Sequence, residues 1–324
     1  MDHVSSLTRI WDFLKKPYVS LVFRVVVSGL LLFFLLRLAV LEKIADVFSR
    51  VSLAYLALYF TFYFLGVVLM AIRWRYLLKA WDIRQDFGVL FRWIMTGLFI
   101  NNFLPGGLGG DAFRLYSGSQ DTGRTEDMAA TIFYERVLSY GSLVILGLIS
   151  LTQRADFSGD RLFWLLLGGI FLALTGVFAL LSFPGFRERI ARFMERHLRL
   201  QKRGLKKWLD SFRFRVHHPP MLVGVFVISF LIQFMDVIMF WLIGQAIWLP
   251  VNVSDLLLFV PLLYLAVLIP VSVNGIGIRE TVFVFFASRW GISQADAVGF
   301  SLTVFTLGLV GSLVGGPIYW FSRK

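Results

Sequence analysis

The chain has 324 residues, of which 58% are hydrophobic, 17% aromatic and 16% charged, with a mean hydropathy of +0.75. This is more apolar surface than a soluble core can bury, so the composition excludes a water-soluble enzyme and indicates a polytopic membrane protein. The absence of cysteine excludes disulfides and thiolate chemistry, four scattered histidines make no zinc set, and a net charge of +12 is what anionic headgroups and the positive-inside rule require, without nucleic acid as a partner.

In chain order, Leu7, Ile10, Trp11 and Leu14 form a helical apolar stripe before Pro17 and predict an interfacial helix. The apolar run 19–39 has spanning length and no small-residue cleavage site after it, so it is expected to remain as an uncleaved first span. A second span is expected over 53–72. The next stretch, 88–116, is interrupted by Pro105 and four glycines. If it crossed fully, the basic connections 73–92 and 187–215 would fall on opposite sides, which the positive-inside rule disfavours. A hairpin that enters and leaves on the cytoplasmic side removes the conflict.

A span over 128–151 closes the first half, and 162–183 opens the second. The segment 184–218 follows, and its part 187–215 holds eleven Lys or Arg against three acids, a net +8. Its apolar stripe, which includes Phe193, Leu205 and Trp208, predicts a basic amphipathic helix in the cytoplasmic headgroup plane. A span at 221–248, a second hairpin at 255–290 entering from outside and a last span at 297–321 complete the chain. The expected fold is therefore all-α, with about six spans and two re-entrant hairpins. It divides into repeats of opposite orientation, 1–152 and 160–324, with both termini cytoplasmic at the inner membrane. Seven or eight simple spans with an irregular charge bias is the alternative.

Broken backbone at membrane depth persists only where protein or a polar cavity satisfies it, and paired breaks in two halves mark transporter sites. The first break holds Asn101, Asn102, Pro105, Gly106, Gly107, Gly109, Gly110 and Asp111. Asp111 reads as the N-cap of a returning half-helix that carries Arg114, and amides at such an end favour anions. The second break, Pro270 through Asn274, Gly275 and Gly277, is followed at once by Arg279 and Glu280. A guanidinium in hydrocarbon is costly, so Arg279 is expected to face protein, water or an anionic ligand, and its fork suits a phosphate. Glu135 and Arg136 diverge by about 100° on one helix and are expected to find separate partners, with Glu135–Arg279 or Arg136–Glu280 as the pairs across the two hairpins. Asp236 is the sole carboxylate between 221 and 248, and reads either as a proton- or ion-coupling group or as a hydrogen-bonded structural acid, with Gln233 beside it.

The combination of Asn102, Leu104-Pro105-Gly106, Gly109-Gly110-Asp111-x-x-Arg114, Glu135-Arg136 and Pro270 with Gly275-x-Gly277-x-Arg279-Glu280 resembles the flippase-like integral membrane family typified by the transmembrane region of lysylphosphatidylglycerol synthase. The resemblance covers nearly the whole chain. It implies movement of a lipid or polyprenyl-linked headgroup between leaflets, and members are linked to hopanoid or glycolipid export and to polyprenol-linked glycosylation. The synthases carry a further soluble aminoacyl-transfer domain, whereas this chain ends at Lys324, so synthase activity is not expected of it.

The expected partner is an anionic phospholipid or a polyprenyl-phosphate lipid, held by Asn101, Asn102, Gly106, Gly107, Gly109, Gly110, Arg114, Asn274, Gly275, Gly277 and Arg279. Asp111, Glu135, Arg136, Asp236 and Glu280 would orient the cations and exchange partners. No cofactor, metal or catalytic residue is expected, and a homo-oligomer is compatible with this reading. Without a Walker A sequence, ATP use is not expected. Two rivals remain: a membrane transferase acting on a lipid phosphate with Asp111 or Glu135 as general base, and a small-solute channel or transporter.

Overall fold

A computed structural model describes residues 52–102, 109–152, 219–267, 277–287 and 290–321. The expected spans 19–39 and 162–183, the N-terminal stripe and the basic segment 184–218 lie outside the described residues. Among the described residues all regular structure is helical. The helices are α1 Leu53–Ala80, α2 Phe87–Asn101, α3 Gly109–Thr122, α4 Thr125–Thr152, α5 Pro219–Ala246, α6 Val253–Val267, α7 Ile278–Ala287, α8 Gln294–Leu313 and α9 Gly315–Phe321.

Among the described residues, four helical stretches are long and apolar enough to cross a membrane: Leu53–Ala80, Thr125–Ser150, Val223–Ala246 and Gln294–Phe321, the last made of α8 and α9 together. The helix α1 extends eight residues beyond the expected end of its span at 72. Arg-Trp-Arg-Tyr-Leu-Leu-Lys-Ala contains no helix breaker, so the helix runs on until Asp82, which takes a positive φ of 55°. This carries Arg73 and Trp74 into the buried interior instead of a cytoplasmic connection.

The remaining helices are short. At 15 and 14 residues, α2 and α3 are each about 22 Å long, less than the roughly 30 Å of hydrocarbon. They lie against each other, and their outer ends meet: Gln85, just before α2, hydrogen-bonds Asp121 near the end of α3, and Arg124 Nη1 donates to the Asp82 carbonyl at 3.4 Å. Their inner ends meet at Gly97 and Gly110, whose backbones touch. In the second half, α6 and α7 have 15 and 10 residues and also pack together.

The two pairs sit at opposite ends of the long helices. The Ser52 amide donates to the Ala246 carbonyl at 2.9 Å, so the start of α1 lies at the end of α5 and the two run antiparallel. Ser150, late in α4, donates to the Ser254 carbonyl at the start of α6 at 3.0 Å. The α2–α3 pair therefore opens where α1 ends, while α6 starts where α4 ends.

Each pair has its own aromatic core. Trp74, Trp81, Tyr134 and Leu90 are fully buried around the first. Phe259, Phe283 and Phe300 are fully buried around the second, with Phe283 stacked on Phe300 at 4.3 Å between centroids. Between the two cores a space remains open, and the inner ends of both short pairs border it.

Candidate functional site

A cavity of about 470 Å³ lies between α1, α4, α5 and α8 and reaches both inner ends. Asn101, Asn102, Gly110, Asp111 and Arg114 line it from the first pair, Tyr264 and Arg279 from the second, and Glu135, Arg136 and Asp236 from the long helices. Its size falls in the range of about 300–1,000 Å³ typical of small-molecule sites.

Charge organises its first-half wall. Glu135 is buried, and its Oε1 accepts from Arg73 Nε at 3.1 Å and Nη2 at 2.8 Å, while its Oε2 accepts from Arg114 Nη2. Arg73 fills its remaining valence with Ser139 Oγ at 2.8 Å and Ser229 Oγ at 3.2 Å, which ties α1, α4 and α5 together. Arg114 lies over the Trp74 ring, 3.9 Å from its centroid, in cation–π geometry, and the Trp74 indole donates to Thr131. One residue after Glu135, Arg136 Nε donates to Asp111 Oδ2 at 2.6 Å.

Neither of the expected alternatives, Glu135–Arg279 or Arg136–Glu280, is formed. Asp111 and Arg114 stand one turn apart on α3, and α4 lays Arg136 and Glu135 against them, so each residue meets an opposite charge in the adjacent helix before it could reach α7. Asp111 is likewise not an N-cap. The helix α3 begins two residues earlier at Gly109, and the Gly110 amide donates to Asn101 Oδ1 at 3.4 Å. Asn102 serves as a clamp, its carboxamide donating to Ser312 Oγ on α8 at 2.6 Å.

The second-half wall is built differently. Gly277 adopts φ +87°, a conformation that favours glycine, and immediately precedes α7. Its amide donates to Glu280 Oε2 at 2.5 Å, the reach-back half of a capping box, and Ser301 Oγ donates to Glu280 Oε1 at 2.8 Å. Glu280 is thus buried as a cap and does not border the cavity. Arg279 points the other way, into the cavity, with its guanidinium 5.2 Å from the Phe305 ring centroid and its Nε 3.8 Å from Glu280 Oε1.

Of the other expected site residues, Gly109 and Gly277 are buried in the helix starts and do not line the cavity. Gly106, Gly107, Asn274 and Gly275 lie outside the described residues. Besides Tyr264, sequence reasoning missed Arg73. Its signal was the unbroken helix-forming run after 72, which places it two turns inside α1. Among the described residues no group of three or more His, Cys, Asp or Glu is placed to hold a metal ion.

The family described as the lysylphosphatidylglycerol synthase TM region matches residues 21–316, a stretch that contains every helix bordering the cavity. The chain belongs to this family. Among its relatives, a UPF0104 membrane protein of Methanocaldococcus jannaschii is 23% identical over 293 residues, covering 86% of this chain and 87% of the relative. One from Pyrococcus horikoshii is 22% identical over 324 residues, covering 93% and 96%. A third, from Methanothermobacter thermautotrophicus, is 21% identical, covering 95% and 96%. No solved structure matches the chain. The chain is a multi-pass membrane protein of a family with prokaryotic members.

Proposed function

We propose that the chain passes an anionic lipid headgroup, of a phospholipid or a polyprenyl phosphate, between leaflets through this cavity while the tails stay in lipid. The α2–α3 and α6–α7 pairs act as re-entrant hairpins entering from the cytoplasmic and outer sides. They belong to two inverted repeats, 1–152 and 160–324, and both termini are cytoplasmic at the inner membrane. Rocking one repeat against the other exposes the site alternately.

The observation that carries this reading is that helix ends flanking both breaks border one cavity, lined by Arg73, Arg114, Arg136 and Arg279. Three carboxylates, Asp111, Glu135 and Asp236, face the same space. Among the described residues these four guanidiniums face the cavity together with three carboxylates, while Glu280, 3.8 Å from Arg279, lies behind its wall. Arg279 and Arg114 come from the two opposite hairpins, so a headgroup between them would touch both repeats. Charge exchange with Asp111 and Glu135 would then let the arginines release it.

The ion pairing also favours translocation over transfer chemistry. A general base needs a carboxylate oxygen within reach of the reacting group. Both oxygens of Glu135, and both of Asp111, are engaged by arginines. Liposomes containing only the purified protein and a labelled lipid test the proposal. Movement of label between leaflets is the expected result. A covalent product would indicate a transferase, and solute flux without lipid movement a channel; either would overturn the reading.

A further inference from the structure

The carboxylates of the cavity are not equivalent. Glu135 and Asp111 are each held by guanidiniums, whereas Asp236, midway along α5, shares a hydrogen bond with the Tyr264 phenol of α6. Among the described residues no cation forms an ion pair with Asp236. Tyr59 and Tyr63 of α1 line the cavity with it, as does Arg73, which is itself bound to Glu135. On α4, Arg136 is engaged by Asp111 and Tyr140, and α8 contributes no titratable side chain to the cavity. Across the cavity, α7 contributes Arg279.

We infer that Asp236 is a proton-binding site linked to the anionic headgroup, so that one proton and one lipid anion occupy the cavity together. This rests on the translocation reading and extends it to the coupling ion. A phenol can donate to an ionised carboxylate or accept from a protonated one, so the Tyr264 contact persists in both states. Protonation removes one negative charge from the space a phosphate would occupy, and each ligand then favours the other by the same factor. A proton and a monoanion crossing together move no net charge, so their transport would respond to a pH gradient and not to membrane voltage.

The test uses the full chain in detergent with a short-chain phosphatidylglycerol, and phosphatidylcholine as control. Binding is read by native mass spectrometry and proton uptake by an indicator dye in weak buffer. Wild type is expected to take up as much as one proton per chain with phosphatidylglycerol and none with phosphatidylcholine. On the alkaline side, its affinity for the anionic lipid should fall by up to about tenfold per pH unit. Asp236→Asn, which mimics the protonated form, should abolish uptake, bind independently of pH and hold the lipid more tightly than wild type in alkaline buffer. A merely structural aspartate would not produce tighter binding on replacement. Asp236→Glu should restore uptake, which keeps the test decisive if the asparagine variant folds poorly. Uptake of equal size in Asp236→Asn overturns the inference. Binding of phosphatidylglycerol without proton uptake overturns the linkage and leaves the headgroup site standing, whereas no binding in wild type overturns both.

Discussion

Gly97 and Gly110 meet backbone to backbone where α2 and α3 converge at the cavity. A Cβ added to Gly110 would lie 2.6 Å from the Gly97 carbonyl oxygen, and one on Gly97 would lie 3.0 Å from the Gly110 carbonyl oxygen. Neither neighbour is a flexible side chain, so only a shift of a whole helix could relieve the contact. Gly110→Ala is expected to destabilise the protein by about 1–3 kcal/mol through overpacking, read as a lower midpoint of thermal unfolding in detergent. Gly88→Ala, at an exposed position with nothing within 4 Å, is the control and should leave the midpoint unchanged or raise it. Equal midpoints for both variants would show that the helices do not touch.

Glu135 bridges Arg73 and Arg114, so its loss strands two guanidiniums where little water reaches them. Breaking such a buried pair from one side costs about 3–5 kcal/mol. Glu135→Ala should therefore unfold at markedly lower denaturant or temperature than wild type. A double-mutant cycle separates neighbours from distant residues. Glu135→Ala with Arg114→Ala should be strongly non-additive, while Glu135→Ala with Arg279→Ala should add. Additivity in the first pair would contradict the observed ion pair.

The helix breaks were legible because glycine and proline act locally: α7 starts just after Gly277, as its glycine spacing implies, whereas α3 already includes Asp111, which the sequence reading took as its cap. The long apolar runs were equally legible, since length and apolar character alone mark helices able to cross. Partner choice was not. That Glu135 belongs to Arg73 and Arg114, and not to Arg279, depends on how α1, α3 and α4 lie against one another, which no local pattern encodes. Glu280 shows the same limit from the other side. Its spacing of three from Gly277 is a capping-box spacing, and the structure shows that contact in the amide of Gly277 donating to Glu280.

Arg279 of α7 faces the cavity, and on the proposed reading it holds the headgroup phosphate. A charge-assisted hydrogen bond is worth about 1.5–3 kcal/mol, so Arg279→Ala should weaken binding of an anionic phospholipid by about ten- to a hundredfold. Arg279→Lys should recover only part of this, because a point charge lacks the planar fork. Binding of a neutral lipid should be unaffected by either change. Equal losses for anionic and neutral lipids, measured by native mass spectrometry, would remove Arg279 from the headgroup site.

A chain without cysteine permits a direct test of which ends share a face of the membrane. Arg84 and Gly123 are exposed and flank the outer ends of α2 and α3, which are joined by the Gln85–Asp121 and Arg124–Asp82 hydrogen bonds. Trp248 and Gly291, also exposed, flank α6 and α7 near the end of α5. Single cysteines at 84 and 123 should react together with an impermeant maleimide from one side of sealed membranes, and those at 248 and 291 together from the other. Cysteines at 85 and 121 in one chain should also cross-link on oxidation. If instead 84 and 123 label from opposite sides, α2 and α3 traverse the bilayer, their inner ends cannot share a mid-membrane cavity with α7, and the proposed path for the headgroup fails with them.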